Sequence, residues 1–321
     1  MRKILFIAAM AAVAMTSCSK NEVIENTSPQ NAISFVTAVG KVKANETNAT
    51  TIQSGVNLYG YYTAGAFGAE VPQKYFSNPD KLSCTAGVWN TTGTYYWPVS
   101  GKLSVFAAYP ATLTVTEPAA AGAYPSFAYT VKAGIDSQED IVVANAMDQV
   151  KATPTATAVK LQFKHILSQV NFYVALTGDT YRVKVESLKI AGAKDQATFT
   201  FDGTTGTWGT ATGAAEYVFA AAATDFISAA TKIGASAMLM PQAAAARTFA
   251  IEVKYTVYHK TLDGVALSST ITKTVDMQQL DLGKKYKYTL TLPAEGVEKI
   301  TFDVDASDWD NETPVPVTPA I

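Results

Sequence analysis

The sequence is poor in the residues most chemistry depends on. It holds two histidines, His165 and His259, far apart, and two cysteines, Cys18 and Cys84. No Cys/His spacing therefore suits a zinc site. No Gly-x-Ser-x-Gly elbow and no phosphate-cradling glycine loop occurs, so the familiar hydrolase and nucleotide-binding arrangements are missing. Cys84, between Ser83 and Thr85, belongs to no nucleophile motif and reads as a small buried thiol. His165 reads as a strand-face side chain with a hydrogen-bond partner rather than as a base. The acidic run Asp303, Asp305, Asp308, Asp310 and Glu312 lacks the glycine that a calcium loop needs at its sixth position, where Asp308 stands. A wet strand face followed by a polar turn explains those carboxylates. No catalytic residue, cofactor or metal is expected. A net charge of −2 with no basic patch gives no electrostatic reason to expect nucleic acid.

Long apolar runs are also missing beyond the first residues, so no spanning helix is expected there. What stands at the start is a leader. Arg2 and Lys3 are followed by the apolar stretch Ile4 to Ala14, then by Met15-Thr16-Ser17-Cys18. The stretch is too short for a permanent membrane helix, and small residues before a cysteine mark a cleavage site. Residues 1–17 read as a lipoprotein signal peptide, with Cys18 as the new N-terminus and the atom set that takes lipid. Several acyl chains on one residue hold firmly, because each buried methylene adds about 0.8 kcal/mol. Residues 18–32 are polar and mixed in charge, suited to a solvated tether. With Cys18 lipidated, Cys84 has no intramolecular partner, so packing must stabilise the fold.

The rest alternates. Leu161, Phe163 and His165 recur at period two, as do Val170, Phe172 and Val174, then Ile251, Val253, Tyr255 and Val257, and Tyr286, Tyr288 and Leu290. Short Thr-, Val- and Tyr-rich runs broken by Gly, Pro and Asn are strands and turns. One apolar and one polar face per strand points to stacked antiparallel sheets. The alanine-rich stretches 119–123 and 220–223 sit among prolines and β-branched residues and read as short turns or, at most, brief helices. Small residues around Pro154 read as a linker, which divides the mature chain into domains at 33–157 and 158–321.

Three stretches, in order, resemble the fimbrillin family of Bacteroidales, subunits of pili made from lipoproteins. They are Tyr95-Tyr96-Trp97-Pro98 with Leu103 to Pro110, then Phe163 to Val170, then Leu282 to Tyr288 with Ile300-Thr301-Phe302 and Asp308-Trp309. The sequence after Cys18, Ser-Lys and then mixed charge, is similar to the export signal of Bacteroidetes surface lipoproteins, with Asn21 where that pattern prefers an acid. The resemblance implies an all-β chain of two consecutive β-sandwich, transthyretin-like domains. It implies a location at the outer membrane, through lipid on Cys18, and in a fimbrium. Its partners would be other fimbrial subunits and a receptor on a host or bacterial surface.

The resemblance also implies assembly by strand exchange: a protease removes the first strand and a segment of another subunit fills the groove, backbone bonds giving affinity and alternate side chains register. The strand to be removed is 33–39, with Ile33, Phe35 and Val39 on one face. The best-known members of the family are cut after arginine, yet Arg2, Arg182 and Arg247 all lie elsewhere; Lys41 and Lys43 occupy the following loop. Cleavage there by a lysine-directed protease and an uncut solvated loop, suited to an anchoring subunit, are both open. The tail puts Val315, Val317 and Ile321 on one face, as a donor would, but Pro314, Pro316 and Pro319 lack an N–H. A frayed tail, as in a tip subunit, is the alternative. A different class of function, glycan capture by a surface lipoprotein, would need Trp89, Trp97, Trp208 or Trp309 exposed for stacking on sugar rings.

Overall fold

The computed structural model describes residues 31–39, 47, 51–86, 88–152, 158–176, 180–242, 250–261, 266, 271–277, 279–292, 301–309 and 314–317. Among them the first half of the chain forms β1 (Phe35–Val39), β2 (Val56–Thr63), β3 (Gln73–Lys74), β4 (Asp80–Thr85), β5 (Val88–Thr91), β6 (Lys102–Tyr109), β7 (Ser126–Thr130) and β8 (Val142–Gln149). The second half forms β9 (Val159–His165), β10 (Ser168–Leu176), β11 (Tyr181–Ala193), β12 (Gln196–Thr200), β13 (Thr207–Trp208), β14 (Ala215–Ala220) and β15 (Thr231–Leu239). It ends with β16 (Ala250–His259), β17 (Ile271–Asp276), β18 (Lys284–Leu292), β19 (Thr301–Asp308) and β20 (Pro314–Val317). The all-β architecture is the expected one, and residues 119–123 lie in turns and irregular backbone.

Seven strands close into a ring in the order β2, β4, β5, β1, β9, β8, β6, with β6 pairing back onto β2; β3 extends the pairing along β2. Closure gives each of the seven strands a partner on both sides, though the β1–β5 and β8–β9 pairings are short. β9 shows how sequence builds it: Val159, Leu161, Phe163 and His165 are buried, while Lys160, Gln162 and Lys164 are exposed. The apolar set joins Val56, Leu58, Leu82, Leu103 and Val105 in one core. β6 is covered on both faces, because Phe106 and Ala108 belong to a second, larger core.

That larger core runs on through the second half. A five-stranded sheet (β15, β10, β18, β19, β20) faces a four-stranded one (β14, β11, β16, β17). Side chains meet between them, as where Phe172 of β10 meets Phe219 of β14 edge to face at 4.6 Å. A small sheet of β13, β12 and β7 ties the halves together, since β7 pairs with β12 from Ser126–Thr200 to Thr130–Gln196. Phe106 on the ring lies 5.2 Å from Phe201, and Phe127 of β7 5.3 Å from Phe199.

Three details of the pairing bear on the sequence reading. Described contacts reach into the expected tether: Asn31 is buried and Ala32 bridges Tyr96. β9, on the far side of the expected division at 157/158, is a strand of the ring, so by strand pairing the first sheet extends to His165. The sheets are not wholly antiparallel, because β1 with β9 and β10 with β18 run parallel. Period-two alternation fixes a strand's faces but not its direction, so this was not visible in the pattern. The linker residues 153–157 lie outside the described residues, as do Cys18, Lys41, Lys43 and Ile321.

Candidate functional site

The residues expected to be exchanged are held in the ring wall. Ile33 and Phe35 are buried, 8% and 4% exposed, whereas Val36 between them and the next inner position is 44% exposed. Val39 closes the strand, its backbone in register with Phe163. The Phe35 ring meets Phe76 edge to face at 6.3 Å, and Phe76 packs on Tyr95 at 4.3 Å. Phe76 itself fits because position 60 is glycine: a Cβ there would come within 2.3 Å of its ring. Fully burying side chains of this size contributes roughly 1.5–3 kcal/mol each, so loss of β1 uncovers a distinctly apolar groove.

The hydrogen bonding of β1 is lopsided. Five consecutive residues, Phe35 to Val39, pair with Val159 to Phe163 of β9, but Phe35 with Trp89 is the one register pair to β5. Just ahead of the strand, the Ile33 N–H donates to the Tyr95 carbonyl at 2.8 Å on the β5 side. The Val159 N–H donates to the Ser34 carbonyl at 2.8 Å on the β9 side. β1 is thus bound along β9 and only touched by β5.

Downstream of the lysines the chain is pinned again at Thr47, which sequence reasoning missed. The Thr47 N–H donates to Asp140 Oδ2 at 3.0 Å, and its hydroxyl donates to the Asp140 carbonyl at 3.2 Å. The same Oδ2 lies 2.8 Å from His165 Nδ1, with both side chains essentially fully buried. The His165 ring stacks on Trp309 at 4.5 Å and 5° between planes. The hydrogen-bond partner expected for His165 is there. Its identity was hidden, because Asp140 is 25 residues from His165 and 93 from Thr47. One buried cluster therefore gathers Thr47, the end of β9 and Trp309, the last residue before the tail.

The tail returns to the five-stranded sheet. β20 pairs antiparallel with β19, with Val315 opposite Ala306 and Val317 opposite Val304. Pro314 and Pro316 stand opposite Ser307 and Asp305. A proline has no N–H for the ladder, so this pairing is the one in which the valines supply the inward N–H groups and both prolines face the outer edge.

Other candidates are spread apart. Cys84 lies on β4 in register with Trp89 and is half-buried, not buried as expected. Trp97 and Trp309 are buried. Trp208 packs against Phe127 and Phe199, and its indole N–H donates to the Ile166 carbonyl at 2.7 Å. Asp308 pairs with Lys284 across β18 and β19. The described residues contain no group of three or more His, Cys, Asp or Glu arranged to hold a metal.

A sequence model of the family described as fimbrillin-like matches residues 42–309. The chain belongs to that family. A fimbrial protein from Bacteroides vulgatus superposes with a TM-score of 0.70 at 20% identity, over 87% of this chain and 99% of its own. A candidate cell-adhesion protein from Bacteroides uniformis gives 0.52 at 17% identity, over 87% of this chain and 98% of its own. Another from Bacteroides ovatus gives 0.51 at 16%, over 89% and 100%. At such identities the likeness is one of fold. No curated protein matches the sequence. The fimbrillin-like match begins at Val42 and ends at Trp309, so β1 and the tail both lie outside it.

Proposed function

We propose that the chain is a subunit of a surface fimbrium that serves adhesion and is assembled by strand exchange. Lipid on Cys18 delivers it to the outer membrane; cleavage after Lys41 or Lys43 severs β1 together with the anchor; the tail of another subunit then fills the vacated groove. The observation that carries this reading is the position of β1. It closes the ring with buried Phe35, preceded by buried Ile33, is laddered along its whole length to β9 but paired with β5 only at Phe35, and is followed directly by the lysine-bearing segment. Its departure would leave an apolar trough beside an unpaired β9 edge, a ready template for another strand.

Brief treatment of the lipidated chain with a lysine-directed protease tests this. The expected result is a cut between Val39 and Asn45 followed by oligomers that resist detergent, and no such oligomers from a Lys41→Ala, Lys43→Ala chain. A trimmed chain that stays monomeric at high concentration defeats the reading.

A further inference from the structure

We propose that the tail of one copy enters the groove of the next running opposite to β1, antiparallel to β9. Thr313, Val315 and Val317 then take the places of Val39, Thr37 and Phe35. This rests on the strand-exchange reading and fixes a direction that reading leaves open.

In an extended chain of L-residues, the face of the side chain and the side of the N–H alternate together with period two. Given a strand's direction and its inner face, the side reached by the inner residues' N–H groups is fixed. Turning the strand end for end within the sheet keeps the inner face and swaps that side. Leading into β1 the assignment can be read directly: inner Ile33 sends its N–H towards Tyr95, on the β5 side, while outer Ser34 presents its carbonyl to β9, and the register of β1 on β9 continues this parity.

Pro314-Val315-Pro316-Val317 is the part of the tail that forms a strand, and it can supply N–H groups on one side only. Laid in the groove parallel to β9, as β1 is, with its valines inward, it would turn both prolines towards β9. The positions through which Val36 and Ala38 serve the ladder would then have no N–H. Turned round, Thr313, Val315 and Val317 all direct their N–H groups to β9. The prolines then face β5, where β1 makes a single register pair. The tail already uses this one-sidedness on β19, where the valines supply the rungs. A strand with one bonding edge matches a groove with one continuous bonding wall.

The same register brings Glu312 opposite Lys164, which is exposed at the end of β9 with its ammonium 3.0 Å from the Thr205 hydroxyl. Opposite charges on facing positions favour this alignment. A parallel tail recovers a ladder only by leaving Pro314 and Pro316 outside β1's span and using Thr318 and Ala320 instead.

Disulfide trapping separates the two directions. In a Cys84→Ser background, an acceptor copy is cut with the lysine-directed protease, which removes Cys18 with the leader, and is mixed with an uncut donor copy. Facing antiparallel residues approach to about 4.5–5.5 Å between Cα atoms, within reach of a disulfide. The expected result is a mixed dimer from Glu312→Cys on the donor with Lys164→Cys on the acceptor. A dimer from Ala320→Cys with Gln162→Cys instead overturns the direction and leaves strand exchange standing. Oligomers with neither cross-link would mean that another segment is the donor. Absence of any oligomer would defeat this proposal and the strand-exchange reading together.

Discussion

Asp140 is approached from two directions in the sequence. Its Oδ2 takes the Thr47 N–H and faces His165 Nδ1, and the Asp140 and His165 side chains are both essentially fully buried. Leaving buried polar groups without partners costs about 1–3 kcal/mol each. Asp140→Ala should therefore lower stability by about 3 kcal/mol in urea unfolding, and Asp140→Asn, which keeps an acceptor oxygen, by clearly less. Asp80 makes a different, pH-linked contribution. Burial is the largest single influence on its carboxyl and acts to raise its pKa. The Gly93 N–H, the Tyr95 side chain, the Lys81 N–H and the Thr92 side chain together outweigh it and hold the carboxyl below the usual aspartate value. In the window between the two values the unfolded chain binds more protons. The stabilisation is thus complete above the ordinary aspartate pKa of about 3.9 and is lost as pH falls through the folded value. Thermal melts should show wild type losing more Tm than Asp80→Asn between about pH 5 and pH 3.

Among the elements, β1 is bonded along one side, and its amides should report this. Val36 and Ala38 belong to the parity that faces β9, and Thr37 to the parity that faces β5, beyond the single pair at Phe35. Native-state hydrogen exchange should find Val36 and Ala38 protected and Thr37 fast, since unladdered amides open most readily. Equal protection at all three would show that β5 holds the strand as well. Much of this scale was legible in the sequence. The alternation of Val159 to His165, Ile251 to Val257 and Tyr286 to Leu290 marks β9, β16 and β18, because one face of each meets a core. Ile33 and Phe35 were placed on their buried face for the same reason. The partners of these strands were not legible. β1 lies on β9, more than a hundred residues away, and nothing local encodes that pairing or its parallel sense. Likewise the tail's prolines, read as a defect in a donor, acquire a consistent sense only when the sidedness of β1 is known. Cys84 shows the opposite failure: a small apolar thiol in a strand looks buried until its register with Trp89 places it half in solvent.

Across the whole molecule, the two halves share more than a linker. β9 completes the ring that β1 opens, and β7 leaves the first half to pair with β12. Tyr59, Tyr61 and Phe106 of the ring belong to the same buried cluster as Phe172, Tyr217 and Tyr288 of the second half. Elements that bury one continuous apolar surface cannot open separately without uncovering it, so stability should be lost cooperatively. Calorimetry of the chain should give one unfolding transition, with calorimetric and van't Hoff enthalpies in agreement; two resolved transitions would mean that the shared core is too thin to couple the halves. Fragments sharpen the point. A chain of residues 31–157 carries every element that the sequence division gives to the first domain, yet it lacks β9. Both β1 and β8 would lose one of their two neighbours, and the inner apolar face of Val159, Leu161 and Phe163 would be gone. That fragment should show no cooperative melt. Adding residues 158–165 restores the ring's missing wall, but not the cover that β12 and Phe201 give to Phe127 and Phe106. The longer fragment should bind a dye for exposed apolar surface and melt at a lower temperature than the whole chain. A cooperative melt from the shorter fragment would show that β9 is dispensable, and with it the wall on which both β1 and an incoming tail depend.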